Sequence, residues 1–266
     1  MNASVFFVIC VLSLCTYIFI QINIPKVHFE ELRFDKIEND IKILHISDYH
    51  NKKLIFKNIF YKLEKFKPDL IVITGDLIDR KSNDLTYSFE FIKNIRKITS
   101  NIFFVSGNHE YENSKHELLI SFLEKNGVSI LNNKNLEILT GNSNINIIGV
   151  DHLNPQYKKE SILDKKQFNI MIIHSPDKAL NFDLSNIDLV LSGHTHGGQV
   201  RLPFLGAIIT PDKGININSK YDKGVFRIGN NTILYIDSGL GYSRFPLRFL
   251  NRSQISQLVI KNSSSK

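Results

Sequence analysis

Short apolar runs recur along the chain after residue 40, and most are followed by polar residues or by a stretch with helical spacing. Runs of this length that do not alternate with polar residues are typical of strands covered on both faces. The first half predicts strands over residues 41–47, 69–74 and 102–106, and helices over Lys53–Lys67, Ser82–Lys97 and Glu117–Lys125. Strand–helix–strand order in turn predicts parallel pairing of these strands.

The second half is richer in strands. The predicted strands are LEILT, INIIGV, NIMIIHS, IDLVLS, GVFRI, TILYIDS and SQLVIK. This pattern indicates a second sheet packed on the first, which is an α/β sandwich and not a barrel. We expect one globular domain over residues 41–261, a linker over residues 26–40 before it and a polar tail over residues 262–266 after it.

The N-terminal segment differs from the rest, because no side chain from Met1 to Pro25 is charged and Val5–Ile20 is almost continuously apolar. About 20 apolar residues span a bilayer as a helix, so we predict a transmembrane anchor over residues 1–25. Two alternatives fit less well. A cleaved signal peptide would have a basic start and a small-residue cleavage site, and a lipoprotein site at Cys15 would have a small residue in place of Leu14.

Basic residues follow the apolar segment and none precede it; the first of them are Lys26, Arg33, Lys36 and Lys42. The positive-inside rule therefore predicts a single-pass protein of the cell membrane with its globular domain on the cytoplasmic side. Both cysteines lie in the anchor, which excludes disulfides and thiolate metal sites from the globular part. The net charge of +7 fits an anionic partner, but an Ile/Asn/Lys-rich composition would give the same excess.

Polar side chains follow five of the predicted strands, where each strand ends. They are Asp48 and His50; Asp76 and Asp79; Asn108, His109 and Glu110; His174; and His194 and His196. In open α/β sheets, ligands bind in a crevice outside the carboxyl ends of the strands. Three of these groups directly follow a glycine, which permits a sharp turn and close backbone approach. We therefore expect the side chains to converge on one site.

The convergent set suits divalent metal ions. Seven candidate ligands combine nitrogen and oxygen donors, which favours Mn, Fe or Zn; they are Asp48, His50, Asp76, Asn108, His174, His194 and His196. Seven ligands exceed what one ion takes, so we expect two ions that share a bridging carboxylate. Two ions about 3.5–4 Å apart can clamp a phosphoryl group and lower the pKa of a bridging water. A phosphate ester is the natural substrate for such a site.

The blocks DYH (48–50), GDLID (75–79), GNHE (107–110), a strand-end histidine at 174 and GHTH (193–196) occur in that order. This ordered set resembles the calcineurin-like metallophosphoesterases. The longer string GHTHGGQVRLPFLGAIITP (193–211), with YDKGVFRIG and GLGYSRFPLRF, resembles a bacterial phosphodiesterase-like branch typified by YkuE and YaeI. The resemblance implies a four-layer α/β/β/α sandwich of two mixed sheets, here preceded by one transmembrane helix.

The resemblance also implies a role for each site residue. Asp48, His50 and His196 would hold the first ion, Asn108, His174 and His194 would hold the second, and Asp76 would bridge the two. His109 would face the leaving-group oxygen as a general acid or hydrogen-bond donor, and Asp79 would orient His109. Glu110 is expected to be a structural hydrogen-bonding residue. We leave out the Asp151–His152 pair, although it follows an apolar run, because seven ligands suffice.

Some basic residues near these motifs have two interpretations. Arg80 and Arg201 could contact substrate phosphate or be solvated at the surface. The helix over Lys53–Lys67 and the segment SRFPLRFLNR (243–252) could each rest on a membrane surface, the alternative being packing on the protein.

Together these features predict a membrane-anchored binuclear phosphoesterase, with manganese, iron or zinc as the metal, that hydrolyses a phosphodiester or pyrophosphate bond by attack of a metal-bridging hydroxide. We expect a lipid-linked or membrane-adjacent substrate, and UDP-2,3-diacylglucosamine of lipid A synthesis is one specific alternative. A nuclease of the same superfamily is another, but nucleic acid is not expected as a partner because no DNA-binding domain is appended. A non-catalytic metal-binding scaffold is a third; such scaffolds tend to lose the GNHE histidine, which this chain retains as His109.

Overall fold

The structure is a computed structural model that describes residues 2–55, 58–157, 164, 166–210, 214–215, 220–229, 231–242 and 245–264. The helices are α1 (Ala3–Asn23), α2 (Asn58–Phe66), α3 (Thr86–Ile95), α4 (Asn108–Glu112), α5 (His116–Lys125) and α6 (Pro176–Ala179). The strands of the first half are β1 (Lys26–Phe34), β2 (Ile41–Ile46), β3 (Leu70–Ile73), β4 (Ile102–Phe104), β5 (Ser129–Ile130), β6 (Asn135–Thr140) and β7 (Ser143–Val150). Those of the second half are β8 (Phe168–Ile173), β9 (Leu189–Ser192), β10 (Val200–Leu202), β11 (Gly206–Thr210), β12 (Gly214–Ile215), β13 (Gly224–Ile228), β14 (Thr232–Ile236) and β15 (Gln254–Asn262).

Within the described ranges the strands form two six-stranded sheets and one small three-stranded sheet. The first sheet has the order β1-β15-β2-β3-β4-β5, the second β13-β14-β9-β8-β7-β6, and the small sheet β10-β11-β12. The centre of each large sheet is parallel, and antiparallel pairs lie nearer the edges, as in β2–β15, β6–β7 and β13–β14. The prediction of two mixed sheets is confirmed.

The layers follow from the continuous apolar runs. In β3, Leu70 and Val72 join a core cluster formed between the two sheets, whereas Ile71 and Ile73 join a second cluster with α2, α3 and α5. Successive side chains of a strand point to opposite faces, so a run without polar positions needs cover on both sides. A third cluster covers the outer face of the second sheet beside α6. The predicted α/β/β/α order is therefore what the chain adopts.

The segment expected as a linker is partly a strand. Residues 26–34 form β1, which pairs in parallel with β15 over nine residue pairs at the edge of the first sheet. The sequence KVHFEELRF carries four charged residues, because an edge strand has one neighbour and buries few side chains; only Leu32 and Phe34 are buried. The linker prediction is wrong for this stretch, and β15 in turn extends to Asn262, the first residue of the predicted tail.

The helix predicted over Lys53–Lys67 is shorter than expected. Helix α2 begins at Asn58, residues 53–55 lie outside any helix, and residues 56–57 lie outside the described part of the chain. Ile55, which lies within the predicted range, is 51% exposed. The buried side of α2 is formed by Ile59 and Leu63, so this helix packs on the sheet.

Helix α1 is long and apolar enough to cross a membrane, with a mean hydropathy of 2.5. Its last turn is attached to the domain. Ser253 donates from its backbone N–H to the Gln21 carbonyl (2.9 Å) and from its hydroxyl to the Ile22 carbonyl (3.0 Å), and the Ile22 side chain is buried. Strand β1 starts three residues after α1 ends. The helix and the first sheet are therefore joined without a flexible spacer.

Candidate metal centre

The seven candidate ligands meet where the carboxyl ends of five strands face one another. Asp48 and His50 follow β2, Asp76 follows β3, Asn108 follows β4, His174 follows β8, and His194 and His196 follow β9. The first three strands belong to one sheet and the last two to the other, so the site lies between the sheets. Six of the seven side chains are buried and Asn108 is half-buried. The expected convergence is what the structure contains.

One group of ligand atoms lies around His50. The Nε2 atoms of His50 and His196 are 3.1 Å apart, and Asp48 Oδ1 lies 3.6 Å from His196 Nε2. These three residues have ligand atoms within 4.8 Å of one another. This is the set assigned above to the first ion.

A second group lies around His174. Its Nε2 lies 2.9 Å from His194 Nδ1, 3.2 Å from Asn108 Oδ1 and 3.4 Å from Asp76 Oδ2. Asp76 Oδ2 is also 3.8 Å from His50 Nε2 in the first group. One carboxylate thus lies between both groups, which is where a bridging ligand belongs.

The donor set fits metal cations. His174 donates its Nδ1 hydrogen to the Thr74 carbonyl (2.7 Å), which leaves the Nε2 lone pair facing other acceptors. Burial lowers the pKa of His174, but the charges of Asp76 and Asp48 outweigh burial and raise its pKa to about 10. The negative potential that favours a proton at this position also favours a divalent cation, and the mixed nitrogen and oxygen atoms suit a transition metal.

The backbone is strained at the ligands themselves. Five of them have left-handed φ values between 50° and 69°: Asp48, His50, Asp76, His194 and His196. Residues other than glycine rarely adopt this region, and each such residue costs about 1–3 kcal/mol. Strain of this kind persists where the surrounding structure over-determines the conformation. Its concentration here indicates that the turns are shaped by the site.

Two glycines let the ligand loops approach one another. Gly75 has a φ of +82°, and a Cβ on it would lie 2.5 Å from the backbone nitrogen of Gly107 in the neighbouring loop. Gly193 has an ordinary φ, so the reason for glycine at this position is the lack of space for a side chain. A Cβ at Gly193 would lie 2.5 Å from Asp48 Oδ2 and closer still to Ser47 Oγ.

Glu110 clamps two of the ligand loops together. Its Oε1 accepts hydrogen bonds from the backbone N–H groups of Leu77 (2.7 Å) and Ile78 (3.2 Å), and its Oε2 accepts from those of Asp76 (2.8 Å) and Gly107 (2.7 Å). The side chain is fully buried. Glu110 thus fixes the turn that holds Asp76 against the start of α4, which agrees with the structural role expected for it.

Replacing Glu110 with glutamine is expected to lower the free energy of unfolding by about 2 kcal/mol, because an amide NH₂ would face two backbone N–H donors. For a domain of this size the melting temperature would fall by about 4–8 °C. Thermal unfolding followed by circular dichroism checks this. Glu117→Gln, at an exposed position of α5, is the control and should change stability by less than about 0.5 kcal/mol. Equal stability of both variants would contradict the clamp.

His109 lies beside the candidate ligands at the open side of the site. Its Nδ1 is 3.2 Å from Asp79 Oδ2, and its Nε2 is 3.9 Å from Asp76 Oδ2. Burial lowers the pKa of His109, but the hydrogen bond to Asp79 and the charge of Asp76 raise it above the ordinary value. The same hydrogen bond is the main reason that the pKa of Asp79 falls to about 2. This pair can hold a proton at the site.

The two arginines considered as phosphate contacts differ. Arg80 Nη2 lies 2.9 Å from His109 Nε2, its Nη1 lies 2.9 Å from Glu112, and Arg80 lines the cavity at the site. Arg201 is not among the described residues that line this cavity. Its Nη1 donates to Asp222 Oδ2 (2.7 Å) and to the Gly197 carbonyl (2.8 Å), so it holds the loop after His196. A contact between Arg201 and substrate phosphate stays a prediction from the sequence.

The cavity at the site measures about 820 Å³. Its lining residues within the described ranges are Asn23, His50, Asn51, Lys52, Lys53, Ile55, Asp79, Arg80, Lys81, His109, Gly241 and Tyr242. Four of them are basic, which favours an anionic ligand. Asn23 is the last residue of α1, so the cavity touches the apolar helix. The Lys52 ammonium donates to the carbonyls of Ile22 and Leu240, and burial lowers its pKa to about 7.

Two residues near the ligands were not predicted. The His152 ring lies 5.3 Å from that of His174 and 5.9 Å from that of His194, and burial lowers its pKa to about 3. Its place after β7 was a signal of the same kind as the others. Arg248 is fully buried, with Nη2 at 3.4 Å from His196 Nδ1. Nothing in a single sequence separates this arginine from an exposed one.

Comparison with known proteins identifies the family to which the chain is similar. The model of the calcineurin-like phosphoesterase family matches residues 41–198, more than half of the chain. The uncharacterized metallophosphoesterase YkuE of Bacillus subtilis is 36% identical over 230 residues, which cover 83% of this chain and 77% of that protein. An uncharacterized metallophosphoesterase of Campylobacter jejuni is 31% identical over 250 residues, or 89% of this chain and 63% of that protein.

Another similar protein is named as a transmembrane protein. The zebrafish (Danio rerio) "Transmembrane protein with metallophosphoesterase domain" is 26% identical over 261 residues, covering 89% of this chain and 57% of that protein. The chain therefore spans less than two thirds of the length of two of these three relatives.

Proposed function

Because the chain belongs to the calcineurin-like phosphoesterase family and is a metal-dependent phosphoric ester hydrolase, we propose that it cleaves phosphodiester or pyrophosphate bonds of membrane-borne substrates. The observation that carries the proposal is a cavity that joins three features. The cavity is lined by His50 and His109 of the metal centre, by three lysines and Arg80, and by Asn23 at the end of α1.

The ligand atoms described above would hold two divalent ions of Mn, Fe or Zn. Asp48, His50 and His196 would hold one, Asn108, His174 and His194 the other, with Asp76 between them. Bound there, the ions supply an activated water for attack on phosphorus and neutralise the charge of the transferring phosphoryl group. Direct attack by such a water on phosphorus requires no covalent enzyme intermediate.

His109 would act on the leaving group. It lines the cavity at the site, its pKa is raised above the ordinary value because the hydrogen bond to Asp79 and the charge of Asp76 outweigh burial, and Asp79 holds its ring. Arg80 would bind a phosphoryl oxygen, because its planar guanidinium lines the same cavity as His109, with its Nη2 2.9 Å from His109 Nε2. These three groups supply the proton, its orientation and the charge that the departing oxygen requires.

The substrate class follows from the position of the cavity. A helix that can cross a membrane ends in the cavity wall, and four basic side chains line the same space. An anionic headgroup at a bilayer surface meets both features, and the zebrafish relative's name supports a membrane setting for this domain. The basic residues after α1 favour the cytoplasmic side. UDP-2,3-diacylglucosamine is one lipid-linked pyrophosphate that meets this description.

The full-length chain, purified in detergent and loaded with Mn²⁺, is expected to hydrolyse bis(p-nitrophenyl) phosphate. Chelation with EDTA should reduce the rate to the uncatalysed background, and elemental analysis should find about two ions per chain. Hydrolysis that persists after complete chelation would contradict a metal-dependent site. A parallel screen of lipid-linked pyrophosphates, soluble nucleotides and nucleic acids tests the substrate class. The proposal of a membrane-borne substrate is wrong if a soluble or nucleic-acid diester is hydrolysed preferentially.

A further inference from the structure

One short loop exposes several apolar side chains. In residues 245–250, which we call the 245–250 loop, Phe245 is 70% exposed, Leu250 47% and Leu247 36%. Single exposed apolar residues are common on protein surfaces, whereas three within six residues are a feature typical of interaction surfaces. None of these side chains belongs to the core clusters of the described residues.

The loop lies against α1. The ring of Phe249 packs edge-on against the ring of Tyr17 at 5.6 Å, and the Leu250 N–H donates to the Tyr17 hydroxyl (3.3 Å). Tyr17 precedes the last residue of α1 by six positions, which is about 9 Å along a helix. The loop therefore reaches alongside the apolar helix and not merely to its end.

The loop is held in this position by its own backbone contacts. The Gln199 amide donates to the carbonyls of Phe245 and Leu247, both at 3.0 Å. The buried Arg248 guanidinium donates to the carbonyls of Ser238, Gly239, Gly241 and Asn251. The apolar side chains are thus presented outward by a fixed support, which itself lies against the metal-centre loops.

We propose that the 245–250 loop inserts its apolar side chains into the surface of the bilayer that α1 spans, and so faces the cavity toward that surface. The inference rests on the proposed membrane anchoring. The bilayer is the occupant because the loop is continuous with α1 through Tyr17 and Phe249, and aromatic residues at this level are typical of membrane interfaces. Tyr242, which lines the cavity, precedes the loop by three residues.

Site-directed spin labelling of the full-length chain tests the inference. Cys10 and Cys15 are replaced with alanine, and one nitroxide is attached at Leu12→Cys, Phe245→Cys or Leu139→Cys in vesicles of phosphatidylcholine and phosphatidylglycerol. Leu139 matches Phe245 in exposure, at 69% and 70%. It lies on β6 near the far end of β1, a nine-residue strand about 30 Å long that leads away from α1.

The labels at positions 12 and 245 should collide with oxygen more than with a water-soluble nickel chelate, and the label at 139 should show the reverse. A label at 12 in lipid with one at 245 in water would overturn the docking loop but leave the anchor. A label at 12 in water would overturn the anchor itself. Labels at 245 and 139 that behave alike would also overturn the inference.

A second measurement uses activity. Phe245→Ser with Leu247→Ser should reduce hydrolysis of a lipid-linked diester in vesicles about tenfold and leave hydrolysis of bis(p-nitrophenyl) phosphate within twofold. Equal losses on both substrates would indicate damage to the site and contradict a docking role. Unchanged rates on both would contradict it as well.

Discussion

Replacing His109 with alanine is expected to lower kcat by about 100- to 10,000-fold on a diester with a poor leaving group. The loss should be smaller on bis(p-nitrophenyl) phosphate, because p-nitrophenolate departs without a proton donor. This difference between substrates is specific to a residue that protonates the leaving group. It follows from the position of His109 at the cavity, with Asp79 3.2 Å from its Nδ1.

Two variants make the result interpretable. His116→Ala removes another partly buried histidine, the first residue of α5, whose ring packs against that of Tyr111, and should leave kcat within twofold. Asn108→Ala removes a candidate ligand, so it should lower both the rate and the metal content, whereas His109→Ala should keep both ions. Loss of metal from His109→Ala, or equal loss on both leaving groups, would rule out the acid role.

Replacing Gly193 with alanine is expected to lower the free energy of unfolding by more than about 3 kcal/mol and to remove bound metal. The new methyl group would overlap Ser47 Oγ and lie 2.5 Å from Asp48 Oδ2. Neither atom can retreat easily: both residues are fully buried, and the carboxylate of Asp48 accepts the His194 N–H (2.9 Å). The loops after β2 and β9 would therefore have to separate, and these loops carry four of the candidate ligands.

Gly229→Ala serves as the matched control. A Cβ on Gly229 meets nothing within 4 Å, and its φ of +58° adds a backbone cost of about 1–2 kcal/mol. Thermal unfolding and elemental analysis should thus separate the two variants, with metal lost only from Gly193→Ala. If Gly193→Ala kept both ions and melted with the control, the close packing of the ligand loops would be wrong.

The strands could be predicted because buried strands leave a direct trace in sequence. A run such as LIVI at β3 is apolar at every position because its alternate side chains enter two different core clusters, one on each face of the sheet. Strand β1 left no such trace, because four of its nine residues are charged and only Leu32 and Phe34 are buried. Its pairing with β15, more than 200 residues later, is decided by tertiary contact alone.

The candidate site could be predicted for a related reason. Histidine, aspartate and asparagine at successive strand ends are uncommon without a ligand. Their residue types therefore indicated a metal site before their positions in space were known. The residues that support the ligand loops leave no such signal in the sequence. Glu110 collects four N–H donors from two loops, and Arg248 binds carbonyls 7 to 10 residues before it as well as Asn251 after it. Such supports depend on how loops meet, which spacing along the chain does not reveal.

The direct joint between α1 and β1 has a kinetic consequence. A catalytic domain on a long tether samples a volume of solution, whereas this domain follows the tilt and rotation of one helix, with its cavity held beside the helix end. Under the proposed anchoring, encounters with substrate occur by lateral diffusion in two dimensions. Turnover would then be governed by the mole fraction of substrate among the surrounding lipids, and its bulk molar concentration would have little meaning.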